Sequence, residues 1–393
     1  MGETLVGLGA ALLAAGILAR LGRHIGLPTI PLFMLAGIVF GPHTPGLEFF
    51  DDPAELELLA TVGLVFLLFY LGLEFSIGDL IGGGRKLVTV GAIYIALNVG
   101  AGIILGFALG WGDREAFVIA GAVGISSSAI VTKLLVELRR LANPETRVIL
   151  GIIVVEDVFL ALYLAILSPI LGEVSGIGSV VWSIGRAFLF LLVLAVVARK
   201  GAALVGRLIT TDDDELLTIA FVGLAIIVAG IAEEVRVSAA IGAFMVGLVL
   251  AESASRERIE RLVLPLRDTF AAIFFFTFGL TIDPGDVWSV AGPIAIAVTM
   301  SLVLNAVAGL LTARMYRFSP RAAANIGSTV LARGEFALIL AALAASAGVD
   351  ARVGPFIAGY VLILALGAPI LAANARTLAR FIPRRWTLPE QST

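Results

Sequence analysis

Apolar stretches long enough to cross a bilayer recur along almost the whole chain, and short polar segments between them carry nearly all of its charge. Thirteen spans are predicted. The first six run near 4–22, 28–42, 56–77, 87–110, 116–138 and 147–171. A long seventh covers about 177–209. The remaining six lie near 215–232, 237–252, 266–282, 287–316, 322–346 and 354–382. This is the pattern of an all-α polytopic membrane protein. The opening MGETLVGLGAALLAAGILARLG carries Glu3 and no positive leader, so it reads as a first span rather than a cleaved signal peptide.

Charge gives the spans a direction. All but five of the 27 Lys and Arg fall in or beside the loops after odd-numbered spans, or in the basic tail. Arg20, Arg85, Lys86, Arg139, Arg140, Arg256, Arg258 and Arg385 are among them. The loops after even-numbered spans hold Arg114, Arg236 and Arg352. Positive residues favour the cytoplasm, which predicts a multi-pass protein of the cytoplasmic (inner) membrane with its N-terminus outside and its C-terminus inside. Two cations remain within spans. Arg186, beside Trp182 near a span end, can snorkel to the headgroups. Arg333 lies deeper and has no such exit.

The chain also repeats itself. LLFYLGLEFSIGDL from Leu67 matches FFFTFGLTIDPGDV from Phe274, aligning Gly72 with Gly279, Leu73 with Leu280, Gly78 with Gly285 and Asp79 with Asp286. FMLAGIVFG from Phe33 resembles AFMVGLVLA from Ala243. Matching spans are seven apart, an odd number, so the two copies enter the membrane in opposite senses. The division that follows is a first inverted repeat at 1–171 and a linker helix at 172–211. A second repeat covers 212–385, and a cytoplasmic tail 386–393. Inverted repeats belong to transporters, with the site near the midplane between halves.

Chemistry at the midplane comes from the sixth span, RVILGIIVVEDVFLALYLAILSPIL, where Glu156 and Asp157 sit side by side. An ionised acid in hydrocarbon costs several kcal/mol, so these two need a wet cavity, a bound cation, a proton or a base. Adjacent helical residues point about 100° apart, which predicts different tasks for the two acids. The plain alternative is a buried ion pair that locks helices together. Spans five and twelve contain GISSSAIVTKLL and NIGSTVLARGEFALI. Each places Gly beside Ser or Thr in mid-membrane, where Gly weakens a helix and hydroxyls satisfy the freed backbone. A matched pair of broken helices is expected; intact helices packed on small residues are the alternative.

Composition narrows the classes. The chain is 59% hydrophobic and 15% charged, with mean hydropathy +1.05, which excludes a soluble enzyme. It has no cysteine, and its two histidines, His24 and His43, form no ligand cluster. No nucleophile–base set, cofactor motif or nucleic-acid-binding pattern stands out, so no enzyme activity and no cofactor are expected.

The ordered set of Gly37 to Pro42 (GxxxGP), LLFYLGLEF, ISSSAI, VVEDV, GAFMVGLVLA, FFFTFGLTID and RGEFALI resembles the bacterial monovalent cation:proton antiporters, in the branch of potassium efflux systems and sodium/proton antiporters. The resemblance covers essentially the whole chain. It implies thirteen helices, a homodimerising scaffold and a mobile core in which spans five and twelve cross as broken helices. It implies that Asp157 is the ion-binding aspartate and that Ser127 and Ser128 are the unwound-helix hydroxyls. Three departures stand out. Glu156 precedes the aspartate where relatives carry Asp, Asn or Gln. Asn305 stands where many carry a lysine in the eleventh span. Many potassium efflux members continue into a nucleotide-binding domain and this sequence does not, which puts regulation on a separate cytoplasmic subunit or nowhere.

The expected function is therefore exchange of K⁺ or Na⁺ for H⁺ by alternating access, with one carboxylate, Asp157, holding either a cation or a proton. Glu156 would be a second proton site, a partner of Arg333 or a cation ligand. Asn305, Thr329, Arg333 and Glu335 would support the core. Arg333 and Glu335 are two apart, on opposite sides of a helix, and are not expected to pair with each other. A cation channel and a sodium-coupled organic-solute symporter remain alternatives.

Overall fold

The computed structural model describes residues 2–24, 29–44, 53–74, 84–172, 185, 211, 213–234 and 239–382. The predicted seventh span, apart from Gly185, lies outside these residues together with Arg186 and the 386–393 tail. The first half supplies α1 (Gly2–His24), α2 (Thr29–Phe40), α3 (Glu57–Glu74) and α4 (Gly84–Leu109). It continues with α5 (Asp113–Gly124), α6 (Ser128–Glu137) and α7 (Thr146–Leu171). The second half holds α8 (Asp214–Glu234), α9 (Ala239–Ala251), α10 (Arg256–Leu280), the short α11 (Pro284–Ser289) and α12 (Ala291–Tyr316). Then come α13 (Pro320–Thr329), α14 (Glu335–Ser346), α15 (Val353–Ala373) and the single turn α16 (Ala375–Leu378). Among the described residues, six helices are long and apolar enough to cross a membrane by themselves.

Most boundaries fall within a few residues of the apolar pattern, and the departures have local causes. Helix α10 starts ten residues before its apolar stretch. Its polar first turns are held by an Arg256–Glu260 pair at 2.8 Å, four residues apart, and by Arg258 on Asp214 of α8. The eleventh span is preceded by a separate turn, because Asp283 accepts the Gly285 N–H at 2.7 Å and Pro284 occupies the first helical position. Spans five and twelve are each two helices. Helix α5 stops at Gly124, residues 125–127 run without helix, and α6 begins at Ser128. Likewise α13 stops at Thr329 and α14 begins at Glu335.

The helices sort into two packed groups. Helices α1, α2, α3, α8, α9 and α10 form one, and α4, α5, α7, α12, α13, α14 and α15 the other, with α10 against α14 and α9 against α7 joining them. The first group is held by two glycine seams. On the α2–α10 seam, a Cβ on Gly37 would lie 2.0 Å from the Phe276 carbonyl oxygen, and one on Gly279 2.2 Å from that of Met34. On the α3–α9 seam, Gly72 would strike the Phe244 carbonyl at 2.1 Å and Gly247 that of Phe69 at 2.0 Å. Only glycine lets these backbones approach so closely, the usual packing device of helices in lipid. The four glycines are the ones the sequence match aligns, Gly37 with Gly247 and Gly72 with Gly279. Each seam joins one helix from each half.

Candidate functional site

The two breaks cross in the second helix group. There the Ser127 N–H donates to the Ala332 carbonyl at 2.9 Å, so the unwound segments hydrogen-bond to each other directly. Gly334 permits this, since a Cβ on it would lie 2.6 Å from Ser127 Oγ and 2.8 Å from Ser127 Cβ. Breaking a helix frees carbonyls at one end and N–H groups at the other, and both need partners in the membrane.

Arg333 serves the carbonyl ends. It is fully buried. Its Nε donates to the Val123 carbonyl at 2.9 Å, and Nη1 to the carbonyls of Val330, Leu331 and Ala332 at 3.0, 3.1 and 3.4 Å. Nη2 donates to Asn98 Oδ1 at 3.3 Å. Thus a cation sits on the negative ends of the half-helix dipoles. Glu156 lies within electrostatic reach of Arg333, while these hydrogen bonds all go to backbone carbonyls and Asn98. Ser126 answers from the other break, its Oγ donating to the Val330 carbonyl at 2.7 Å. In the register that aligns Gly72 with Gly279, Ser126 falls on Arg333, Val123 on Val330 and Asn98 on Asn305. The caps are therefore reciprocal. Asn305 Nδ2 donates to Asn98 Oδ1 at 3.2 Å and to the Ser301 carbonyl at 2.8 Å, while Tyr94 Oη donates to Asn305 Oδ1 or to the Val330 carbonyl.

The carboxylates gather near the N–H ends. Glu156 is fully buried; its Oε1 accepts from Ser126 N at 3.0 Å and can accept from Ser126 Oγ at 3.1 Å, and its Oε2 is buried with no partner among the described residues. Asp157 makes no hydrogen bond or ion pair among the described residues, and its Oδ1 is buried. Glu156, Glu335 and Glu74 lie within electrostatic reach of it. Ser127 and Ser128 both direct their hydroxyls at Glu335, which opens α14, rather than at Asp157.

Thr329, expected to support the core, stands apart from this cluster. Its hydroxyl donates to Asn325 Oδ1 at 3.3 Å, within a second buried network. There Asn325 Nδ2 donates to Glu145 at 2.8 Å and Arg140 donates to Asn325. Burial and the nearby Arg321 guanidinium pull the Arg140 basicity below its ordinary value. Tyr94, Asn98 and Ser126 belong to the site and were not singled out from the sequence. The repeat register would have found the last two, since each lies opposite a residue already flagged.

A cavity of about 590 Å³ opens between the two helix groups, walled by α2, α3 and α10 on one side and α6 and α14 on the other. Its polar lining includes Tyr70, Glu74, Arg267, Asp268, Ser128, Thr132 and Glu335. Water and small ions can thus approach Ser128 and Glu335 at the crossing. No group of three or more His, Cys, Asp or Glu among the described residues is arranged to hold a resident metal ion.

A helical membrane chain whose acids meet at the crossing of two broken helices is built as a secondary carrier of small ions. The chain belongs to the sodium/hydrogen exchanger family: residues 9–373 match the family described as "Sodium/hydrogen exchanger, transmembrane". It is 41% identical over 384 residues to the K(+)/H(+) antiporter subunit KhtU of Bacillus subtilis, covering 95% of this chain and 94% of that one. It is 31% identical to the putative cation/proton antiporter YbaL of Escherichia coli, over 99% of this chain and 70% of the other. Its fold is similar to that of the sodium proton antiporter MjNhaP1 from Methanocaldococcus jannaschii. That match has a TM-score of 0.71 at 17% identity, over 96% of this chain and 98% of that one. Family membership sets the channel alternative aside in favour of monovalent cation:proton exchange.

Proposed function

We propose that the cation exchanged for protons is K⁺, by alternating access about the crossing, with Asp157 as the carboxylate that holds either ion. The observation that carries the site is Asp157 itself. It is a mid-helix acid with no hydrogen-bond or ion-pair partner among the described residues, and its Oδ1 is one of the few buried polar atoms there left unsatisfied. A carboxylate in that position is neutral only with a proton or a cation on it, and a bare charge resists transfer through an apolar seam. Competition for one group then couples the two fluxes. Ser127, Ser128 and Glu335 supply oxygens on the approach to it, and Asn305 and Arg333 hold the crossing. K⁺ is chosen over Na⁺ because the relative that is 41% identical across nearly its full length is named a K(+)/H(+) antiporter subunit.

The reading includes thirteen spans, the two inverted repeats and linker at the boundaries given above, and a cytoplasmic C-terminus. The reciprocal glycine seams and the reciprocal caps of Ser126 and Arg333 support the repeat. The lopsided loop charge supports the orientation in the cytoplasmic membrane. A homodimer, and a separate regulatory subunit in keeping with the word "subunit" in that relative's name, complete it. The test is purified protein in acid-loaded proteoliposomes, with internal pH followed as K⁺, Na⁺ or Li⁺ is added outside. Saturable alkalinisation strongest with K⁺ is expected. Stronger responses to Na⁺ or Li⁺ would overturn the choice of cation, and no response to any of them would overturn Asp157-centred exchange.

A further inference from the structure

The cavity between the helix groups has acids on both walls, Glu74 and Asp268 on one and Glu335 on the other, and a single arginine among its lining residues. That arginine is out of keeping with a passage for cations, because a fixed positive charge repels what the passage must admit. It is also firmly held. The guanidinium carbon of Arg267 lies 4.0 Å from the centre of the Tyr70 ring. Its Nη2 and Nε donate to Asp268 Oδ1 at 2.6 and 3.0 Å. Glu74, one turn beyond Tyr70, lies within its field. Tyr70 and Glu74 stand on α3, and Arg267 and Asp268 on α10, all in the group built on the glycine seams. Ser128 and Glu335, across the cavity, belong to the broken helices.

We propose that Arg267 is a tethered counter-cation that sets how much substrate cation this vestibule takes up, and so the half-saturating concentration of exchange, without taking part at Asp157. Its charge partly satisfies the vestibule acids when no metal cation is present. An entering cation meets that charge and competes with it. Because its contacts lie within one helix group, Arg267 stays with that wall if the broken helices move. This inference rests on the exchange reading above.

The experiment compares wild type, Arg267→Gln and Arg267→Lys in proteoliposomes, reading half-saturating K⁺ and maximal rate from pH-detected exchange. Each is measured at low ionic strength and again with added N-methylglucamine chloride. For Arg267→Gln, half-saturating K⁺ is expected to fall about threefold to tenfold, the effect of one unit charge across a wet cavity. Its maximal rate should stay within about twofold, and the difference from wild type should shrink in high salt as screening removes the repulsion. Arg267→Lys should stay near wild type. A fall that salt leaves unchanged, a loss confined to the maximal rate, or an unaltered half-saturation would each overturn the proposal. If Arg267→Gln is poorly folded, Tyr70→Leu, which frees the guanidinium while keeping its charge, must change half-saturation in a salt-dependent way or the idea fails. Wild type lacking exchange altogether would instead overturn the antiport reading.

Discussion

Glu156 and Asp157 are neighbours in the chain, but their surroundings differ as much as those of two unrelated acids. Glu156 has Ser126 N on one oxygen, with the Ser126 hydroxyl in reach. Asp157 has no hydrogen-bond partner among the described residues, and its Oδ1 is buried. Asp157→Asn keeps the volume and one oxygen but cannot titrate, so it should abolish cation-driven proton movement while melting within a few degrees of wild type. Exchange at the native rate in that variant would remove Asp157 from the mechanism. Glu156→Gln keeps an oxygen facing Ser126, so the bond from Ser126 N survives and a stability loss of no more than about 1–2 kcal/mol is expected. If Glu156 carries charge through the cycle, the voltage dependence of exchange changes. A variant matching wild type in stability, selectivity and voltage response would leave Glu156 with neither role. On the predicted outer side, the Arg352 side chain holds the Asp350 carboxyl below the usual aspartate range. A lowered folded value stabilises the protein above the ordinary aspartate pKa, and the effect is lost as pH falls through the folded value. Melting curves of wild type and Asp350→Asn should therefore differ near neutrality and converge below about pH 4.

At the scale of elements, the most legible features were those written in glycine. Gly37, Gly72, Gly247 and Gly279 were aligned by sequence, and they prove to be the four contact points of two helix crossings. Replacing Gly279 by Val should cost about 1–3 kcal/mol or more, because the obstacle is the Met34 backbone and not a side chain that can rotate away. A melting temperature unchanged from wild type would show that the seam opens freely. The breaks in spans five and twelve were legible for the same reason, a Gly beside hydroxyls in an apolar run. What could not be read was which hydroxyl serves which acid. Ser126, Ser127 and Ser128 are consecutive, and only the three-dimensional crossing puts the backbone N–H of the first on Glu156, its hydroxyl on the Val330 carbonyl and the hydroxyls of the other two on Glu335. Likewise, spacing alone could not foretell that Arg333 gives its donors to backbone carbonyls and Asn98. That depends on where α5 ends relative to α13.

For the molecule as a whole, these assignments bear on charge balance. Asn305, where the family resemblance leads one to expect a lysine, is neutral and held by Tyr94, Asn98 and its own helix. Arg333 is a fixed charge engaged with the helix ends. With neither acting as an exchangeable base beside Asp157, the simplest cycle swaps one cation for one proton, and electroneutral transport is expected. The check is current on a solid-supported membrane during a K⁺ jump, paired with exchange at clamped voltages. A sustained current, or a reversal point that moves with potential, would make Glu156 the second proton carrier.

The glycine seams also constrain how such a chain is made. Helices α2 and α3 emerge early in synthesis, yet their closest partners, α10 and α9, belong to the second half. Until those arrive, the early helices wait in the bilayer with bare glycine grooves that no neighbour from their own half fills. The first half is thus an unfinished surface during biogenesis, open to holding factors, to mispairing or to quality-control proteolysis. Two separately expressed halves should therefore rescue each other from degradation.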